Sequence, residues 1–306
     1  MRLNFPRAVR PRTSPVEYAA CKRVGFQGEP GAFSEEAVHD LLGREAKGVP
    51  SPTWDATFAS LVDGKADALL VPIENSLAGS VLRVYDLLLE HRFWIAAEVI
   101  LPIEHHLIGC PGASLEAIRS VESHPMALAQ CERLIAAHPE WARIPAEDTA
   151  GSVRRVIEAG DRSRASIAGA AAADLYGGVI LLADIQDDKR NFTRFVLLLP
   201  ERRVVPGADK MTLAMRLAHR PGSLLDALQP FARHSVNLLK IESRPIHGCP
   251  WEYQFFLDVT AEQSQTIENA LAELRPVAEE VQVLGLYPAA SILDQLQVQG
   301  DRHEKR

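Results

Sequence analysis

"FWIAAEVILPIEHHLIGC", residues Phe93 to Cys110, is apolar and extended over a length that overshoots a single strand, since strands in globular proteins average about 5–6 residues. A run of this kind leaves one sheet and enters another, so it predicts two lobes with a cleft between them. On its N-terminal side, short apolar runs alternate with helical periodicity, the mark of α/β layering. "KRVGF" reads as a strand. "GEPGAFSEEAVHDLLG" follows as a loop and a helix, with Glu35 and Glu36 in the electropositive first turn and Gly43 as the stop. Thr53 is placed to cap a helix ending at Gly64, "ADALLVP" is a strand leading into "IENSLAGS", and "SVLRVYDLLLE" returns as a helix.

On the C-terminal side the spacing predicts helices at "SLEAIR", "PMALAQCERLIAAH" and Thr149 to Ala159, and strands at "SVESH", "RASIAG", "VILLADI" and "TRFVLLL". The polar "ERRVVPGAD" then reads as a hinge between domains. Beyond it the order becomes strand, helix, strand, strand, helix, strand, from "KMTLAMRLA" to "VQVLGLY", which is the ferredoxin-like βαββαβ unit.

A chain of 306 residues exceeds what one ordinary core needs, and 47% apolar with 24% charged residues is the profile of a soluble globular protein. The net charge of −7 gives no positive field for a polyanion, so nucleic acid is excluded as an expected partner. No apolar run has membrane-spanning length, so no membrane is expected either. The four cysteines, Cys21, Cys110, Cys131 and Cys249, form no zinc-like or redox spacing and read as reduced thiols. The first twenty residues carry four arginines against one acid, but Pro6, Pro11 and Pro15 would break a transit-peptide helix. They read as a disordered extension of a cytoplasmic protein.

Three loops, "GEPGAFS", "PIENSLAGS" and "DTAGS", set small polar residues before helices, where free amides suit a small dianion. Each alone is more simply an ordinary cap or turn; together, at the strand ends of one α/β region, they point to a ligand site. Neither Gly-rich loop is a dinucleotide or Walker A fingerprint, so no nucleotide is expected. His105 and His106 are adjacent and face opposite sides of an extended segment, so they do not share a metal. His124, before Pro125, reads first as a structural histidine. On the residues alone, Thr193 and Arg194 read as a β-branched strand residue and an arginine reaching for water.

A resemblance changes that reading. "GEPGAFSEEA", "VPIENSLAGSV", "SHPMALAQC", "DTAGS" and "NFTRF" make Lys22 to Leu199 resemble prephenate dehydratase, and "RPGSLL" and "KIESRP" make Lys210 to about Tyr287 resemble the ACT domain that follows it. Met126 stands where the family has glutamine, and Ser223 where it has alanine. The resemblance implies a two-lobed α/β catalytic domain of the periplasmic-binding-protein type II kind, followed by a ferredoxin-like sensor domain. The expected divisions are an N-terminal extension over 1–21, a catalytic domain over 22–199 (one lobe about 22–97 plus 188–199, the other about 98–187), a hinge over 200–209, the ACT domain over 210–288 and a polar tail over 289–306. No chorismate mutase bundle is expected in the chain.

The implied reaction converts prephenate to phenylpyruvate, carbon dioxide and water without a cofactor or metal. Thr193 carries over as the group tied to departure of the 4-hydroxyl, and Arg194 as a planar fork for a carboxylate. Ser34, Asn75, Ser76, Thr149, Ala150, Gly151 and Phe195 are the expected substrate contacts, with Glu74 a second choice of proton donor. The effector phenylalanine is expected at an interface of two ACT domains, on Gly222, Ser223, Leu224, Leu225, Asn237, Glu242, Ser243 and Arg244, which requires a homodimer or homotetramer. Two alternatives stay open: arogenate dehydratase, and a non-catalytic amino-acid-binding module.

Overall fold

The computed structural model describes residues 18, 20–203, 205–246, 248–249 and 251–290. The expected extension up to residue 17 and the tail from 291 onward therefore lie outside the described residues. The chain opens with β1 (Arg23–Gln27), α1 (Phe33–Leu42), β2 (Lys47–Ser51), α2 (Trp54–Val62), β3 (Ala68–Asn75), β4 (Gly79–Ser80), α3 (Leu82–His91) and β5 (Trp94–Pro102). It crosses to β6 (His106–Gly109), β7 (Ser120–Ser123), α4 (Pro125–Gln130), α5 (Glu132–Ala137), β8 (Ala142–Pro145), α6 (Thr149–Ala159), β9 (Arg164–Ala168), α7 (Ala170–Tyr176) and β10 (Val179–Leu182). β11 (Phe192–Leu199) returns, and β12 (Lys210–Arg216), α8 (Ser223–Arg233), β13 (Asn237–Pro245), β14 (Tyr253–Thr260), α9 (Ser264–Leu274) and β15 (Glu280–Tyr287) form the βαββαβ unit.

The crossing lies where the apolar stretch at Phe93 to Cys110 placed it, but β5 stays in the first sheet to Pro102, past the expected lobe boundary at 97. The second lobe is a sheet in the order β10-β6-β9-β7-β8. Thr53 caps α2 as expected, its Oγ1 accepting from the Ala56 amide at 3.2 Å. "SLEAIR" forms only a 3-10 turn, and the long helix expected over 125–138 breaks at Cys131 into α4 and α5. β11 runs antiparallel between β3 and β5 with every residue buried, which is why "TRFVLLL" is apolar on both faces.

The linker expected as a hinge is packed into a core that both units share. The strands of the C-terminal unit continue the first lobe's sheet, giving the order β13-β14-β12-β15-β5-β11-β3-β1-β2. Two apolar layers span the join. One brings Val99, Leu199, Met211, Leu213, Phe231 and Leu257 together; the other brings Tyr85, Ile95, Val196, Phe256 and Leu284 together. Val205 and Ala208 of the linker are buried, and the Trp94 indole donates to the Arg203 carbonyl at 2.7 Å. A linker seated in a shared core cannot swing freely, because opening it would expose that core to water. The end of the N-terminal extension is also docked: Tyr18 is buried and its hydroxyl donates to the Ala96 carbonyl at 2.8 Å.

The join depends on one glycine. Gly285 of β15 pairs in parallel with Ile95 of β5, and a Cβ on Gly285 would lie 2.5 Å from both the Cβ and the carbonyl oxygen of Ile95. Backbone cannot yield as a flexible side chain does. Gly285→Ala is expected to lower stability by about 1–3 kcal/mol through overpacking; an unchanged denaturation midpoint would contradict this account of the join.

Candidate active site

The crossing and the return of β11 leave a cleft of about 490 Å3 between the lobes. The first lobe contributes the ends of β1 and β3, the start of α1, the β3–β4 hairpin and the start of β11; the second contributes the starts of α4 and α6. Each helix start presents amides without an intrahelical partner and the positive end of its dipole. Thr193 is one end of a hydrogen-bond chain that starts inside this cleft. The Asn75 Nδ2 group donates to Thr193 Oγ1 at 3.0 Å and to Asn191 Oδ1 at 2.8 Å.

Which end of the Asn75 amide faces Thr193 is set by the backbone. Asn75 Oδ1 accepts from the amides of Leu77 and Ala78 at 3.0 and 2.8 Å, so its NH2 end must be the one directed at Thr193. Thr193 Oγ1 is therefore an acceptor toward Asn75 and keeps its own proton to donate elsewhere. The chain continues across the lobes: Asn191 Nδ2 donates to Gln130 Oε1 at 3.0 Å, and the same oxygen meets His105 Nε2 at 2.9 Å. With Gln130 Oε1 accepting, His105 carries its proton on Nε2. Burial holds His105 below the usual histidine range, so it is neutral near pH 7. Phe33 packs edge-on against its ring at 5.6 Å.

The structure sorts the predicted residues into two groups. Ser34, Asn75, Thr149, Thr193 and Phe195 line the cleft. Ser76, Ala150, Gly151 and Arg194 are not part of its lining, and each departure has a local cause. Ser76 Oγ donates to the Arg190 carbonyl and accepts from the Phe192 amide, stapling the end of β3 to the start of β11. The Gly151 amide is taken by Asp148 Oδ1, the N-cap of α6, at 2.5 Å. Ala150 is wholly buried in an apolar cluster. Asn75 lines the cleft, but both amide hydrogens and its oxygen are committed to protein partners, so it positions Thr193 and has no donor left for a substrate carboxylate.

The correction at Arg194 is the largest. Its guanidinium lies on the other side of β11 from Thr193, 2.6 Å from Asp258 Oδ2, 3.3 Å from Glu98 Oε2 and 3.6 Å from Glu74 Oε2. The alternation that separates His105 from His106 also separates Thr193 from Arg194, since neighbours in a strand point to opposite faces. Glu74, the alternative proton donor, is likewise outside the cleft lining and bonded by Lys240 Nζ at 2.8 Å.

Gln130, His105 and Asn191 were not among the predicted site residues. Asn191 stood in "NFTRF", but an amide one residue before a strand gives no sign of which neighbour it will meet. His124 caps α4 through Nδ1, which accepts from the Met126 amide at 3.2 Å, as its structural reading expected, although it also borders the cleft. Glu104, His106 and Asp184 are the group of candidate metal ligands among the described residues. His106 Nδ1 already accepts from the Asp184 amide at 3.2 Å, so its lone pair is used and its other nitrogen carries the proton.

On the sensor side, Gly222 takes φ +83° at the N-cap of α8, Ser223 begins that helix, Leu224 packs on the core and Leu225 is exposed. Asn237 and Ser243 are exposed on β13. Glu242 and Arg244 turn instead to the catalytic unit: Ser80 Oγ donates to Glu242 Oε2 and Arg244 Nη2 donates to Asp86 Oδ2, both at 2.6 Å.

The sequence model of the prephenate dehydratase family matches residues 24–203, and that of the ACT domain matches residues 211–276. The chain belongs to the prephenate dehydratase family. It is similar to arogenate dehydratase/prephenate dehydratase 1, chloroplastic, of Arabidopsis thaliana, with 39% identity over 284 residues, 87% of this chain and 72% of that one. Among solved structures, it is similar to the prephenate dehydratase of Arthrobacter aurescens in complex with L-Phe, with 30% identity, a TM-score of 0.78, and coverage of 93% of this chain and 100% of that one. It is also similar to GqqA, described as a novel type of quorum quenching acylase, with 33% identity, a TM-score of 0.81, and coverage of 89% and 99%. This member of the prephenate dehydratase family is thus a hydro-lyase in which the dehydratase domain precedes an ACT domain.

Proposed function

We propose that this dehydratase acts on prephenate and is inhibited by L-phenylalanine. The observation that carries the reading is the Thr193 hydroxyl, fixed as an acceptor toward Asn75 and so left with a proton to give inside the cleft. Loss of the ring carboxylate as carbon dioxide sends its electron pair through the diene and expels the 4-hydroxyl. That oxygen needs one proton to leave as water. Thr193 donates a hydrogen bond to it, or relays a proton to it from solvent, as negative charge develops there. Aromatisation supplies the driving force, so the protein's part is to hold the substrate and ease one oxygen away. The amides opening α1 and α6, with Ser34 and Thr149, are the groups placed to meet the carboxylates.

None of the described hydroxyls lining the cleft hydrogen-bonds a histidine, the pairing that acyl transfer to a serine or threonine relies on. This favours dehydration over acyl hydrolysis. A second reading, dehydration of arogenate, has one observation in its favour: among the described residues the lining contains Glu147 and Asp148 and neither lysine nor arginine, which suits a substrate with an ammonium group. For regulation, β13 is an edge strand with Leu239 and Ile241 exposed, and Leu225 is exposed on α8. A second copy lying across this edge would enclose the phenylalanine, making a homodimer or homotetramer in the cytoplasm.

The test is the rate of phenylpyruvate formation from prephenate, with and without phenylalanine, set against kcat/KM for arogenate. Turnover of prephenate that phenylalanine depresses supports the first reading. Preference for arogenate selects the second, and phenylalanine binding without either turnover would make the protein an amino-acid-binding module.

A further inference from the structure

Side chains of β13 at alternate positions, hence on one face, grip the catalytic unit. Lys240 Nζ donates to Glu74 Oε1 at 2.8 Å and to Ser80 Oγ at 2.7 Å, and lies 5.8 Å from the centre of the Tyr85 ring. Glu242 accepts from that same Ser80 hydroxyl, and Arg244 holds Asp86 on α3. One strand further in, Asp258 of β14 lies opposite Lys240 and meets Arg194, while Lys210 of β12 meets Glu98 at 2.8 Å.

The residues receiving these contacts adjoin the reacting centre. Glu74 precedes Asn75, and in the β3–β4 hairpin Glu74 pairs with Ser80 and Asn75 with Gly79. Arg194 follows Thr193. Gly79 and Ser80 themselves border the cleft. The Asn75–Thr193 hydrogen bond is therefore flanked, on each of its two strands, by a charge whose nearest counter-charge belongs to the C-terminal domain, the pairs within the catalytic unit being longer at 3.3 and 3.6 Å. Without Lys240 or Asp258, half-buried Glu74 and buried Arg194 would keep only those longer pairs and would shift toward them or toward water.

We infer that Lys240 and Asp258 are positioning residues of the dehydratase: from the ACT domain they fix the β3–β4 hairpin and the start of β11, and so the bond that orients the Thr193 proton. The inference rests on the role given to Thr193 above. It also gives the effector a lever, because any ligand that displaces β13 displaces the counter-charges of the active site with it.

The experiment uses the full chain and compares Lys240→Met, Lys240→Arg and Asp258→Asn for kcat, KM, phenylalanine inhibition and thermal unfolding. Lys240→Met keeps the apolar stem and removes only the ammonium. Its kcat is expected to fall about 10-fold or more, as for a small misplacement of reacting groups, with KM within about 2-fold, since uniform binding is untouched. Phenylalanine sensitivity should fall in parallel, and Lys240→Arg should restore most of the rate. Asp258→Asn should show the same split between kcat and KM. In a Thr193→Ala background, Lys240→Met should cost nothing further, because both act through one hydroxyl.

An unchanged kcat in folded Lys240→Met protein overturns the inference. So does a loss of rate that only follows the loss of folded protein, or an equal loss in the Thr193→Ala background. Full turnover by Thr193→Ala itself would instead remove the reading on which the inference rests, and the two failures are separable.

Discussion

Thr193→Ala is expected to lower kcat by roughly 10²-fold or more, the usual range for losing a positioned proton donor, while the protein stays folded. Among the described residues the hydroxyl makes one hydrogen bond, to Asn75, which also donates to Asn191 and accepts two backbone amides. Deleting it leaves a single donor on Asn75 unpaired at the wall of a cleft that water can enter, so the cost in stability is on the order of 1 kcal/mol. The cost to the reaction is larger, because the departing oxygen then leaves without a proton or a hydrogen bond. Steady-state kinetics with a parallel melting curve check this. Near-normal turnover would remove Thr193 from the mechanism and leave the cleft without its proton donor.

Arg194→Met is expected to have the opposite profile: a large loss of stability, about 3–5 kcal/mol for removing one partner of a buried charge cluster, with KM nearly unchanged. Arg194 is only 9% exposed and its counter-charges, Asp258 and Glu98, are 2% and 0% exposed, so solvent does not screen the charge left behind. Burial opposes ionisation of Asp258, yet Arg194 and Lys210 hold its carboxyl below the usual range. A carboxyl lowered in the folded state stabilises fully above its unfolded value of about 4, and loses that contribution only as the pH falls below it. At neutral pH the variant therefore leaves two buried carboxylates, Asp258 and Glu98, sharing the single buried charge of Lys210. Chemical denaturation gives the stability change, and KM is read on the folded fraction at low temperature. If Arg194 held a substrate carboxylate, KM would rise many-fold with the denaturation midpoint unchanged, and that result would return Arg194 to the substrate.

The contrast between these neighbours shows where a sequence stops being informative. Both stand in "NFTRF", and the motif marks the position of a site without saying which face of the strand each side chain takes. Thr193 lies in the cleft, where the resemblance and not the residues alone put it. Arg194 does not, because its partner Asp258 lies in a domain that sequence periodicity presents as separate. Ser76 and Gly151 fail for a local reason: small polar residues at helix starts serve their own backbone as readily as they serve a ligand.

Periodicity, turn residues and the apolar crossing at Phe93 to Cys110 determined the two α/β lobes, the cleft and the βαββαβ unit, since these follow from which residues must leave water and how the backbone repeats. Only the tertiary structure decided that the two domains share one sheet and one core across Gly285, that the linker is packed, and that Arg194 lies against Asp258 at the join. The reason is physical. Burial of an apolar face is a property of a segment, whereas a charge is satisfied by whichever opposite charge the fold brings within a few ångströms, and chain order does not encode that distance.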